Sequence, residues 1–154
     1  MTSEPDISTA DAMTALILQI FRVNGSLLAV GDGLVSDLGL TSARWQVLGA
    51  IAMSPAPLPV AHIARNMGLT RQAVQRLVNE MANDGFVAFG SNPHHQRAKL
   101  VLLTPHGKAA YASAMRRQRP WAEKIAKGLA RKDIDGARST LAALELRLSD
   151  AGST

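Results

Sequence analysis

Between Thr70 and Asn79 the chain carries Arg71, Gln72, Gln75, Arg76 and Asn79, two guanidinium groups and three amides with no acid among them. On a helical wheel these five share one face, and Ala73, Val74, Leu77, Val78 and Met81 share the other. Arginine donates a bidentate pair of hydrogen bonds to guanine, and glutamine or asparagine matches the donor and acceptor of adenine. An ordinary solvated helix face mixes both signs of charge, whereas this one is only cationic and amide-bearing. The first two turns of a helix in a DNA groove are the ones that reach bases. Arg71, Gln72 and Gln75 are therefore expected to read bases, Arg76 to meet base or phosphate, and Asn79 to meet phosphate. Thr70 opens the reading segment as its cap. Further along, His94, His95, Arg97 and Lys99 form a polar, basic stretch between two apolar runs. Their chemistry suits a grip on phosphates.

The elements that must position these side chains follow from the surrounding pattern. Helices are expected over Val60–Met67 and Thr70–Asp84, joined at Gly68-Leu69, where glycine takes a positive φ without a Cβ penalty. Asp84-Gly85 closes the second helix. Phe86–Phe89 and Lys99–Leu103 read as paired strands, with Gly90–Ala98 as a nine-residue connection, long for a hairpin. A groove-entering helix followed by a basic hairpin is a winged helix-turn-helix.

The flanks are helical. Residues 1–8 are polar and expected to fray. From Asp11 to Val35, Met13, Leu16, Ile17, Ile20, Phe21, Leu27, Leu28, Leu34 and Val35 follow helical spacing, and few charges mark any face. A helix apolar nearly all round needs partners on several sides. Thr41 or Ser42 is the expected N-cap of a helix to about Met53, with Trp45, Leu48, Ile51 and Ala52 as its buried stripe. Ser54–Pro59, with three prolines, is expected to hold no regular structure. Thr104-Pro105 starts a helix running toward Arg131, kinked or split at Pro120. Ile134, Ala137, Leu141, Leu144 and Leu148 make a coiled-coil-like seam on a last helix.

The expected fold class is mainly α with a small β-wing, a winged helix-turn-helix domain plus a helical dimerisation region formed by the N- and C-terminal helices. In domain terms, 1–154 is a single domain, with 10–36 and 105–150 as dimerisation helices and 41–104 as the DNA-binding lobe. Two copies across a two-fold axis would double the number of bases read and set half-sites about one helical turn apart.

Composition agrees. The chain has 154 residues, 47% apolar, and a net charge of +5. Residues 1–40 carry five acids and only Arg22 as a base, whereas residues 41–120 carry ten Lys and Arg against Glu80 and Asp84. Positive charge is thus concentrated on the motif-bearing segment, as a polyanion partner requires. No run of 18 uninterrupted apolar residues and no secretory pattern is visible, so a soluble cytoplasmic protein without membrane contact is expected. Zero cysteines excludes disulfides and thiolate chemistry.

LTSARWQVLGAI, HIARNMGLTRQAVQRLVNEMANDGFV and NPHHQRAKLVLLTPHGKAA, in this order and spacing, resemble the MarR family of transcriptional regulators over about residues 10–150. The resemblance implies a homodimeric winged-helix repressor of a pseudo-palindromic operator in double-stranded DNA, in many relatives released by a small, often aromatic or phenolic, effector. It implies Arg97 as the wing arginine entering the minor groove and Lys99 as the basic residue after it. Where relatives commonly carry an acid two positions before that arginine this chain has His95, and Asn92 replaces another common acid. The wing is thereby more positive, and because an ordinary imidazole titrates near pH 6.5, DNA affinity is expected to rise below about that pH. In the family the effector lies where the first, second and fifth helices meet, which points to Asn24, Arg44 and Trp45. Trp45 and Arg44 would hold an aromatic carboxylate by stacking and a charged hydrogen bond. The alternative is that Trp45 is core and Arg44 a surface or DNA-backbone residue.

Other chemistry has little support. His62, His94, His95 and His106 lack a helical His-x-x-x-His spacing and have no cysteine beside them, so neither a metal nor another cofactor is expected. No phosphate-cradling glycine loop, Gly-x-Ser-x-Gly elbow or apolar-framed carboxylate pair suggests an enzyme, and no catalytic residue is assigned. Asp32 and Asp37 are expected to be solvated or to cap the next turn. The competing function is a low-specificity, nucleoid-type or partner-binding winged-helix protein without an effector.

Overall fold

The computed structural model describes residues 8–151; the expected fray of residues 1–8 falls, apart from Ser8, outside them. The chain divides between Gln118 and Arg119 into two compact units. The first begins with α1 (Thr9–Val35). Ser8 is its N-cap, accepting from the Asp11 amide at 3.1 Å, which carries the helix two residues before the expected start. A 3₁₀ turn (Ser36–Leu38) ends at Gly39, whose φ of 72° is left-handed. Helix α2 (Ser42–Ala52) is capped by Thr41, whose hydroxyl accepts from the Arg44 amide.

On α2 the structure buries Ser42, Val47, Leu48 and Ile51, while Trp45 is half-buried and Ala52 exposed. The expected stripe is therefore corrected at two positions. Helix α2 packs against α1 on one side and against α3, α4 and β3 on others, so its buried arc is broad enough to include Val47. Ala52 ends the helix at the rim.

The proline segment is a second correction. Leu58–Pro59 forms a short strand, β1, antiparallel to β3 through the register Leu58↔Val101 and Pro59↔Leu100. Proline is tolerated there because β1 is an edge strand, in the sheet order β1-β3-β2. Helix α3 (Val60–Met67) then runs to Gly68, left-handed at φ 65°, and α4 (Arg71–Asn83) starts from Thr70, whose hydroxyl accepts from the Ala73 amide at 3.2 Å. Val74, Val78 and Met81 point into the core. Ala73 does not, because residues 70–73 are all exposed and the first turn of α4 stands clear of the packed layer.

Strands β2 (Val87–Gly90) and β3 (Leu100–Leu103) pair in the register Val87↔Leu103 to Gly90↔Leu100. The wing connection is thus residues 91–99, one position later than expected. Helix α5 (Pro105–Ile125) opens on Thr104, which accepts from the Gly107 amide at 3.0 Å and donates to the carbonyls of Gly85 and Phe86. A Cβ at Gly107 would overlap the Phe86 carbonyl oxygen, so only glycine permits this approach of α5 to the base of the wing. Every buried residue of the described chain lies in the first unit, and the buried apolar side chains form one core from Val35 to Ala114.

The second unit comprises the end of α5, a turn and α6 (Arg131–Ala151). Helix α5 does not split at Pro120; it continues to Ile125, and the break falls at a turn containing Gly128 at φ 82°. The helix thus stops short of the expected Arg131. No residue of α6 is buried, and the seam residues Ile134, Leu141 and Leu148 are exposed.

Candidate nucleic-acid interface

Helix α4 is held by its apolar face and by Thr70, which leaves its polar face outward. Arg71, Gln72, Arg76 and Asn79 are exposed. Gln75 is half-buried and donates from Nε2 to Asn79 Oδ1 at 3.0 Å, one turn further on. That bond leaves the Gln75 carbonyl oxygen and one N–H free, the combination that adenine accepts.

Opposite α4 stands the wing. A cleft of about 1050 Å³ lies between them, with Arg71, Gln75 and Asn79 on the helix side and Asn92, His94, His95, Arg97 and Lys99 on the wing side. Helix α3 adds His62 and Arg65, and Ala56–Pro59 forms one end. No Asp or Glu lines it. A concave surface with four Arg and Lys, three histidines and no carboxylate focuses a positive field on whatever enters. Of the expected DNA-contacting residues, Arg71, Gln75, Asn79, His94, His95, Arg97 and Lys99 are brought together here. Thr70, Gln72 and Arg76 lie on α4 or its cap but outside the cleft.

Three features escape a reading by motif. His62 on α3 joins the cleft, and the proline segment forms part of its wall, because β1 is pinned to β3. Asn92 organises the wing tip: its Nδ2 donates to the Ala98 carbonyl at 2.8 Å and its Oδ1 accepts from the His94 amide at 3.0 Å. The Asn92-Pro93 dipeptide, a turn-initiating pair, is the signal in the sequence that marks it.

Asn24, Arg44 and Trp45 are placed differently. Asn24 is exposed on α1, and Trp45 is half-buried against the core. The Arg44 guanidinium binds Asp84 at 2.8 Å, donates to the Gly39 carbonyl at 3.2 Å and lies 5.9 Å from the centre of the Phe86 ring. Phe86 also stacks on His106 at 4.6 Å. Arg44 thus joins α2 to the C-cap of α4. Asp32 meets the capping expectation, accepting from the Ser42 amide at 2.6 Å at the start of α2, whereas Asp37 instead pairs with Arg117 on α5. The hydrogen bond from Arg117, reinforced by its charge, holds the Asp37 carboxyl below the usual carboxylate range and raises the arginine above its own.

Comparison with known proteins gives a family and a fold. A model of the MarR family matches residues 38–98. An uncharacterized protein of Mycobacterium tuberculosis is 34% identical over 99 residues, covering 64% of this chain and 68% of its own length. The transcriptional activatory protein BadR of Rhodopseudomonas palustris is 30% identical over 95 residues, 60% of this chain and 54% of its own. Among solved structures, CouR from Rhodococcus jostii RHA1 bound to p-coumaroyl-CoA superposes with a TM-score of 0.76 at 22% identity, over 84% of this chain and 91% of that one. The transcriptional regulator MOSR of M. tuberculosis, in complex with DNA, gives 0.75 at 22% identity over 88% and 96%.

Proposed function

The chain belongs to the MarR family of DNA-binding transcription regulators, and from that premise we propose that it is a cytoplasmic homodimeric repressor of a pseudo-palindromic operator, released by a small effector. The observation that carries the DNA reading is the acid-free cleft in which the α4 face and the wing oppose one another. In this reading Thr70–Asn79 enters the major groove, with Arg71, Gln72 and Gln75 on bases and Arg76 and Asn79 at the phosphate edge. Arg97 and Lys99, flanked by His94 and His95, grip the backbone and the neighbouring minor groove. MOSR, a protein of the same fold in complex with DNA, supports the DNA reading.

Dimerisation is supported by exposed apolar surface. Phe21 is 70% exposed, and Leu18 and Leu27 on α1 and Leu146 and Leu148 on α6 are also exposed. Side chains of this kind along two helices call for a partner. By length and mean hydropathy (1.5) the stretch Thr9–Leu38 could cross a membrane. The dimer face is the better reading, because Gly31 and Val35 pack inward and Asp32 and Ser42 hydrogen-bond across the α1–α2 joint. Helices 10–36 and 105–150 would then hold two 41–104 lobes at a fixed spacing.

The effector reading takes support from CouR, whose structure holds an aromatic acyl thioester. Trp45 and Asn24 would line such a site, and Arg44 would serve it by exchanging Asp84 for the ligand's anion. Activation is a second reading, favoured by the name of BadR. The test is selection of bound sequences from a random DNA pool, followed by competition and transcription from the recovered promoter. A specific regulator prefers its own site over random DNA by at least about 10³-fold. A ratio near one supports the nucleoid-type alternative and overturns the repressor. Higher transcription with the protein than without it decides for activation.

A further inference from the structure

The wing connection is closed by one side chain. Besides the two bonds of the Asn92 amide, the His95 amide donates to the Asn92 carbonyl at 3.3 Å and the Ala98 amide donates to the His95 carbonyl at 3.2 Å. Residues 92–98 therefore form a hydrogen-bonded loop with Arg97 directly before its anchored end. Asn92 is half-buried within it, whereas His94, His95, Gln96 and Arg97 are exposed. Among the described residues the Arg97 guanidinium has no hydrogen-bond or ion-pair partner. His95, not a carboxylate, stands two positions before it.

We propose that Asn92 is the positioning residue of the wing: its amide holds the backbone in the turn that presents Arg97 to the cleft. The role rests on the reading of Arg97 as a DNA grip. The two bonds made in this wing need a side chain that donates and accepts at once. Aspartate accepts only, so it would leave the Ala98 carbonyl without its donor and bring the first carboxylate into an acid-free cleft. Asn92 supplies both bonds without charge. A loop ordered in advance also spares DNA binding the entropy of fixing it.

The test is a double-mutant cycle on the full chain, with a fluorescent duplex carrying the sequence recovered by selection. Arg97→Ala is expected to weaken binding about tenfold, the worth of one charge-assisted hydrogen bond. Asn92→Ala should weaken it comparably. The double variant should bind within about twofold of Arg97→Ala alone, because Asn92 acts through Arg97. A merely structural role gives losses that multiply, and that result overturns the proposal. Asn92→Asp, nearly the same shape, should also bind weakly; wild-type affinity in either Asn92 variant overturns it as well. Amide exchange at His94 and Ala98 should accelerate in Asn92→Ala while β2 and β3 keep their protection, and unchanged exchange counts against the clasp. If Arg97→Ala binds as the wild type, the grip reading fails and the positioning role falls with it; loss in Asn92→Ala alone identifies that case.

Discussion

On the proposed reading, two side chains divide the DNA-binding work most clearly. Gln75 is tied through Nε2 to Asn79, which fixes the direction of its amide while leaving an acceptor and a donor for a base edge. Arg97 sits on the wing with no partner of its own among the described residues, ready for phosphate. Their removal should therefore look different. Gln75→Ala is expected to relax preference at one base position, costing about 1–3 kcal/mol there and little elsewhere. Arg97→Ala should weaken all sequences alike and reduce the slope of log affinity against log salt by about one. Anisotropy titrations on a set of single-base operator variants, at several salt concentrations, check both. Uniform loss in both variants would remove the distinction.

Among the elements, the wing and α5 are joined through one cap residue and one glycine. Thr104 bonds to the carbonyls of Gly85 and Phe86 and caps α5 through Gly107, whose missing Cβ leaves room for the Phe86 carbonyl. Gly107→Ala must push backbone against backbone, and a loss of at least about 2 kcal/mol in urea unfolding is expected. Wild-type stability would mean that α5 can shift at no cost. Further along α5, Arg117 holds Asp37 and the Leu34 carbonyl, joining α5 to the end of α1. The folded-state pKa of Asp37 lies below its ordinary 3.8, so the ionised form is the stabilising one. That contribution is complete above the ordinary value and is lost as pH falls through the folded one. Asp37→Asn should consequently be less stable than wild type at neutral pH and approach it in acid, as followed by unfolding across pH 2–7. A gap independent of pH would contradict the ion pair.

At the scale of the molecule, the helices outside the winged segment leave apolar surface uncovered. Phe21, Leu18 and Leu27 on α1 are exposed in the single chain although the helix interior is apolar enough to seek burial. The proposed second copy would cover this surface and double the number of bases read. Phe21→Glu places a charge in that interface, and sedimentation should show a shift toward monomer with weaker operator binding. A variant that stays dimeric would move the interface elsewhere.

Local order was legible from the sequence because its causes are local. Thr41, Thr70, Gly68 and the Thr104-Pro105 pair each act within one helical turn, and the structure has a cap or stop at each of them. The cationic, amide-bearing face of α4 was readable for the same reason, since helical periodicity alone gathers Arg71, Gln72, Gln75, Arg76 and Asn79. Contacts set by residues far apart in sequence were not readable. That Leu58–Pro59 is a strand depends on β3, some forty residues later, offering it a partner. That Val47 is buried and Ala52 is not depends on how many elements surround α2. The engagement of Arg44 by Asp84, the entry of His62 into the cleft, and the Asn92 clasp likewise arise only when distant segments meet. Residue types and their periodicity by themselves pointed to the class of partner, a polyanion. The tertiary structure decided which of those side chains share one cleft, because a helix wheel orders neighbours around an axis but carries no information about what is packed across from it.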